Sequence, residues 1–391
     1  MRTLTIISVA LSLLTSCGLD PNKIPSARLY ADDGAVVTDD NTLNFGIVGA
    51  TRLPISGTGE PDAPMATIAD IRSEMPVRDL SFLVLPGGMV ARSSTKEWTG
   101  FAERWSPVLR SDVISDNQAR ITALPLPGRG EVSGDKGLKG MNAVFDGTGA
   151  DIGYGRVASW SRIDAEVQGT TWRLIVLDAN KDGLGSRWDE QMFWLPGVVS
   201  GDDYDHLVVF LSSPRFTTAK GWKMDGKGPQ AELLEVIDAH SDLLKLKAVF
   251  SGGPATNEVY LPSSEYGELH VVVGNGGIAG DTFLRGASGE DAGRDDALTL
   301  ESVFTRVLLS EFSGAASGLE LSDKVKEAVQ GTEDNPPQFP GSDFPVQGWW
   351  TVRLGAKAMS ATFRQRTWKG EYRDAYRMTW TRKSGWVAAA L

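Results

Sequence analysis

A mainly β protein, built of antiparallel sandwich- or barrel-like domains with a small helical insertion and so α+β overall, is the fold class this sequence predicts. Three observations carry the prediction. The 391 residues hold 44 glycines and 19 prolines, together about 16% against a usual ~12%, which favours many turns over long helices. Apolar bursts are short and bounded by turn residues, at 43–49, 80–85 and 121–126 and again at 171–177, 207–211 and 269–273. Near the C-terminus, Tyr376, Met378 and Trp380 alternate with Arg377, Thr379 and Thr381, the period of a strand with one buried face.

At the N-terminus, Met1 and Arg2 precede an apolar run from Leu4 to Leu14, the length of a signal-peptide core and too short to cross a bilayer. Directly after it stands Leu14-Thr15-Ser16-Cys17, which contains the chain's single cysteine. This segment resembles the lipobox of bacterial lipoproteins. The resemblance implies cleavage after Ser16, acylation of Cys17 on its sulfur and its new α-amino group, and, with Gly18 next rather than Asp, transfer to an outer membrane. Acyl chains contribute roughly 0.8 kcal/mol per buried methylene, so three of them hold a protein on its membrane without a spanning helix. Residues 1–16 are expected to be removed as a signal peptide, and residues 17–40, rich in Asp, to form a lipidated tether.

Residues 41–150 read as a β-rich domain, in which 42–49 resemble the opening strands of immunoglobulin-like envelope domains. A second β-rich domain is expected over 151–295, with a helix at 231–246. Leu300, Val303, Phe304, Val307, Leu308 and Phe312 fall at helical spacing behind Asp295-Asp296, which predicts a helical segment over 296–334. The proline-rich stretch 335–341 cannot continue a helix and reads as a linker. The last segment, 345–391, reads as basic, tryptophan-rich β-hairpins: nine Lys and Arg between 353 and 383 face only Glu371 and Asp374, and Trp349, Trp350, Trp368, Trp380 and Trp386 lie here. A Lys369-Gly370 turn suits the hairpin.

The formal charge of −11 argues against a nucleic-acid partner, because phosphate contacts need a basic field. With one cysteine, a disulfide, a thiolate zinc site and an iron–sulfur cluster are excluded within one chain.

The segment with the densest oxygen donors is Asp178-Ala179-Asn180-Lys181-Asp182-Gly183-Leu184-Gly185-Ser186-Arg187-Trp188-Asp189. It resembles the calcium loop of EF-hand and related extracellular modules. The resemblance implies Ca2+ as cofactor, with Asp178, Asn180 and Asp182 at loop positions one, three and five, Gly183 at the sharp turn, the Leu184 carbonyl at seven, Ser186 at nine and Asp189 at twelve. A hard dication takes six to eight oxygens, which alternate residues of a tight loop can supply. The flanks of this loop read as strands.

Weaker motifs carry less. Asp238-Ala239-His240-Ser241-Asp242 resembles segments of ureohydrolases and membrane dipeptidases, but on a helix His240 points away from the two acids. Residues 271–280 resemble a dinucleotide fingerprint without the helix it needs. Residues 247–253 resemble a cysteine-peptidase segment with Val249 in the nucleophile's place, and read as a strand and turn. The nucleophile elbow Gly-x-Ser-x-Gly is absent from the sequence. The expectation from sequence is therefore a calcium-stabilised, lipid-anchored envelope protein with a structural, adhesive or ligand-binding role, whose partners are the membrane and an envelope protein or polysaccharide. The alternative is an envelope hydrolase using His206 or His240 as base.

Overall fold

The computed structural model describes residues 35–37, 42–52, 63–109, 122–134, 138–145, 160–215, 228–242, 244–253, 257–260, 267–274, 276, 347–367 and 370–391. The leader, Cys17, the predicted helical segment 296–334 and the linker 335–341 lie outside the described residues.

The described chain forms two seven-stranded sheets. In the first, the order is β1 (Ala35–Val37), β5 (Ser161–Val167), β6 (Thr170–Leu177), β7 (His206–Leu211), β8 (Leu246–Ser251), β10 (Leu269–Val273) and β9 (Asn257–Tyr260). Strands β6, β7, β8 and β10 run parallel. In the second, β14 (Gly385–Ala390), β13 (Tyr372–Thr381), β12 (Ala358–Arg366) and β11 (Gly348–Gly355) form an antiparallel meander, and β11 pairs with β2 (Thr42–Ile47). Beyond β2 lie β3 (Phe82–Pro86) and β4 (Thr122–Leu126), parallel to it and to each other.

The sheets pack face to face. Phe45 of β2 stacks on Phe82 of β3 at 4.8 Å and meets Phe210 of β7 edge-on at 5.8 Å, so rings from both sheets share one core. Helices cover the outer faces. On the second sheet, α1 (Ala63–Val77), α2 (Thr95–Trp105) and α4 (Leu138–Phe145) lay Ile68, Ile71, Trp98, Phe101 and Met141 against Leu83, Leu85 and Trp349. Short α3 (Arg129–Val132) follows β4. On the first sheet, α5 (Lys181–Leu184), α6 (Arg187–Val199) and α7 (Pro229–His240) bury Leu184, Trp188, Leu195, Leu233 and Ile237 against Ile175, Val209 and Val249.

This α/β architecture corrects the expected mainly antiparallel β class and β-sandwich. The physical reason lies in the bursts themselves. Residues 174–177, 207–211 and 269–273 are continuously buried rather than alternating, as strands must be when helices cover the sheet's other face. The predicted helix at 231–246 is present as α7 but stops at His240, because Leu246 already opens β8. The C-terminal hairpin is present: Met378 and Trp380 are buried while Arg377 is exposed, and Gly370 takes the positive φ of 85° that the turn needs.

Candidate functional site at the strand-end junction

In open α/β sheets, ligands bind beyond the carboxyl ends of parallel strands. Here seven such ends converge from two sheets: β2, β3 and β4 from one, and β6, β7, β8 and β10 from the other. The segments that follow them are Gly49-Ala50-Thr51, Gly87-Gly88, Gly128-Arg129-Gly130-Glu131, Asp178-Ala179-Asn180, Ser212-Ser213, Gly252-Gly253 and Gly274.

The polar groups of the junction are few and bonded mostly among themselves. Glu131, fully buried in α3, accepts from three backbone amides, those of Gly128 (2.8 Å), Val90 (2.9 Å) and Gly88 (3.3 Å), and so ties the turn after β3 to the turn after β4. Burial pushes its carboxyl above the usual carboxylate range despite those donors. Asp178, also fully buried, accepts from the backbone N–H and side-chain amide of Asn180, both at 2.8 Å, and its backbone is clamped by Gln191 of α6. Its Oδ2 has no hydrogen-bond partner, and burial raises its pKa to about 7 against the pull of the Asn180 bonds. Asn180 donates from the same side-chain nitrogen to the Pro127 carbonyl, across to the other sheet. The Ala179 N–H donates to Ser212 Oγ at 3.2 Å. Thr51, 1% exposed, leaves its hydroxyl without a partner.

The calcium loop is corrected by this geometry. Asn180 turns its amide N–H2, a donor, toward Asp178 and Pro127. Asp182, Ser186 and Asp189 are exposed, Leu184 is buried in the helix-covered core, and the segment winds into α5 and α6 instead of a strand-flanked loop. The predicted set is therefore split between the interior and the surface, and cannot converge on one ion. Lys181 pairs instead with Glu232 of α7 at 2.7 Å.

The histidines stand away from the junction. His206 opens β7 at the opposite, amino end of the sheet, its ring between Trp172 (4.5 Å) and Trp380 (5.0 Å), and burial lowers its pKa to about 4. His240 is exposed at the end of α7, two residues from Asp238, which pairs with Arg215 at 3.6 Å. His270, within β10, is bonded to Glu268 at 3.1 Å, and holds that carboxyl down at about 2. Sequence reasoning missed Glu131, Gln191 and Ser212. The available signal was the recurrence of glycine or serine within two residues of the end of most apolar bursts, at Gly49, Gly87, Gly128, Ser212 and Gly274.

No family model and no curated protein matches this chain. Among solved structures, "Structure of PhoD" superposes with a TM-score of 0.50 at 12% identity, over 90% of this chain and 72% of that one. A purple acid phosphatase from yellow lupin follows at 0.49 and 12%, over 88% of this chain. A dimetal phosphatase from Danio rerio gives 0.47 and 10%, over 86% of this chain and 99% of its own. The chain spans 54% of the lupin protein's length. At such identities the likeness is one of fold alone.

The residues of the junction can also be tested against a pair of adjacent metal ions. Two adjacent ions need several carboxylate and imidazole donors with free lone pairs. Among the described residues no three His, Cys, Asp or Glu side chains gather. At the junction the acids are Glu131, whose oxygens are taken by amides, and Asp178, with one free oxygen. Among the described residues, the donor set does not fit a metal pair.

Proposed function

We propose that this protein is held to a bacterial envelope membrane by lipidation of Cys17, and that it uses a phosphatase-type hydrolase fold for binding rather than for two-metal hydrolysis. The comparisons favour the hydrolase side of the sequence reading over a structural or adhesive one. The observation that supports the binding role is the junction's chemistry: among the described residues the seven strand ends converge mainly on small residues, and of the two buried acids Glu131 is bonded to backbone amides while Asp178 keeps one oxygen unpaired. The formal charge of −11 argues for a partner other than nucleic acid, such as an envelope protein or polysaccharide.

Full-length protein in detergent, assayed with para-nitrophenyl phosphate and its bis ester in the presence of Mn2+, Zn2+ or Fe2+, is expected to turn over no faster than buffer. Chelator-sensitive turnover would favour the second reading, an active hydrolase, which the shared fold supports. Cys17→Ser is expected to move the protein from the membrane to the soluble fraction. Unchanged membrane fractionation would remove the anchor.

A further inference from the structure

Between the two sheets, the strand-end junction is crossed by backbone at four places. The Gly276 N–H donates to the Gly49 carbonyl at 2.8 Å, joining the ends of β10 and β2. A Cβ on Gly49 would overlap the Val273 carbonyl oxygen, and one on Gly252 would overlap the Pro86 carbonyl oxygen, so β2 touches β10 and β8 touches β3 with no room for a side chain. Gly87, at a φ of 80°, would set a Cβ 3.1 Å from Gly128 and 3.7 Å from the Ser212 carbonyl oxygen, where the β3, β4 and β7 ends meet. The Asn180 amide adds a side-chain crossing, from the end of β6 to Pro127. At Gly49 and Gly252 glycine serves close approach, because a Cβ there pushes the sheets apart, whereas Gly87 crowds Gly128 of its own sheet and meets Ser212 only at ordinary contact distance.

We infer that this junction is a closed latch that holds the two sheets together, occupying the place where a metal pair would otherwise sit. The inference rests on the binding reading above and deepens it, since a latched junction leaves ligands to the loops around it. Backbone packed on backbone cannot open for an ion and its water ligands without parting β3 from β8 and β2 from β10. The latch also explains why so few polar side chains are needed: the carbonyls of Gly49 and Pro127 find their donors across the gap.

The test uses the full chain, with melting temperature and hydrogen exchange as readouts. Metal analysis of the purified protein should find well under one equivalent of Mn, Fe or Zn, and neither chelator nor added Mn2+ should move the midpoint. Gly252→Ala should lower the midpoint by at least about 5 °C. Gly197→Ala, in α6 where a Cβ meets nothing within 4 Å, should lose nothing. Should Gly252→Ala fail to fold, Asn180→Ala gives the milder reading: a smaller drop, with faster exchange in residues 127–131. Stoichiometric metal whose removal destabilises the protein would overturn the latch, as would Gly252→Ala melting with Gly197→Ala. Turnover with an intact glycine effect would instead sink only the binding reading.

Discussion

The two ends of the sandwich close in different materials. At the carboxyl ends of the parallel strands, glycines bring backbone onto backbone, and among the described residues there Asp178 keeps a buried carboxylate oxygen without a partner. At the amino ends of β7 and β8, Trp172, His206, Trp380 and Lys247 fill the space between the sheets: Lys247 Nζ sits 4.4 Å from the centre of the Trp380 ring and donates to the Leu244 carbonyl, while Trp386 donates to the Lys247 carbonyl at 2.9 Å. Burial lowers the Lys247 amine to about 8. One end is specified by the absence of side chains and the other by their bulk, so the same substitution logic has opposite signs at the two. Additions at the junction glycines should harm that end, and truncations of the packed rings should harm the base.

The largest effect is expected at the base. Trp380→Ala removes a ring that touches Trp172, His206 and Lys247, and should cost about 3–5 kcal/mol in chemical denaturation. A loss under about 1 kcal/mol would mean that the rings are loosely packed. Next comes Glu131→Ala, which leaves three amide donors of the β3 and β4 turns without their acceptor and should cost about 2–4 kcal/mol. Glu131→Gln should recover part of this, since one amide oxygen remains to accept.

The third prediction sets the ends against each other through pH. Asp178, raised to about 7 from 3.8, binds its proton more tightly when folded, so its contribution falls as pH rises from about 4 to about 7. His206, lowered to about 4 from 6.5, binds its proton less tightly when folded, so its contribution rises between about 4 and 6.5. The two slopes oppose one another over a shared window. Asp178→Asn should leave stability climbing from pH 4 to 6.5, and His206→Phe, which keeps a ring between the tryptophans, should leave it falling. Parallel stability profiles for the two variants would break the contrast. The smallest effect belongs to the surface pair: Lys181→Ala should change stability by no more than about 0.5 kcal/mol in denaturant unfolding.

The sequence made the strands legible and left their directions hidden. Bursts at 43–49, 80–85, 121–126, 171–177, 207–211 and 269–273 correspond to β2, β3, β4, β6, β7 and β10 within a few residues. An apolar burst says that a segment is buried, but which strand lies beside it depends on what the intervening chain does. There the sequence reading expects α7 at 231–246 but not the earlier helices. In α2, Ser94 caps the Glu97 amide at 3.3 Å, the Glu97 carboxylate accepts from the Ala91 and Arg92 amides, and Trp98, Phe101 and Trp105 form the buried stripe. That stripe and the Ser-x-x-Glu signal were present in the letters, whereas α1 offers no comparable pattern around Ile68 and Ile71. The residues 178–189 were misread because alternate oxygens look alike in a calcium loop and in a strand end followed by two helices. The junction was illegible for a different reason: a glycine's role depends on which backbone faces it, and those partners lie far away in the chain.

The pairing of β2 with β11 sets Phe45 beside Val352, some three hundred positions downstream. The second sheet is thus woven from early and late parts of the described chain, and until β11 has been synthesised, β2 has an open flank. Contacts this distant make for slow folding and a long interval of exposed strand edge. A premature stop anywhere before residue 348 would remove β11 to β14 and leave the second sheet unfinished rather than merely shortened.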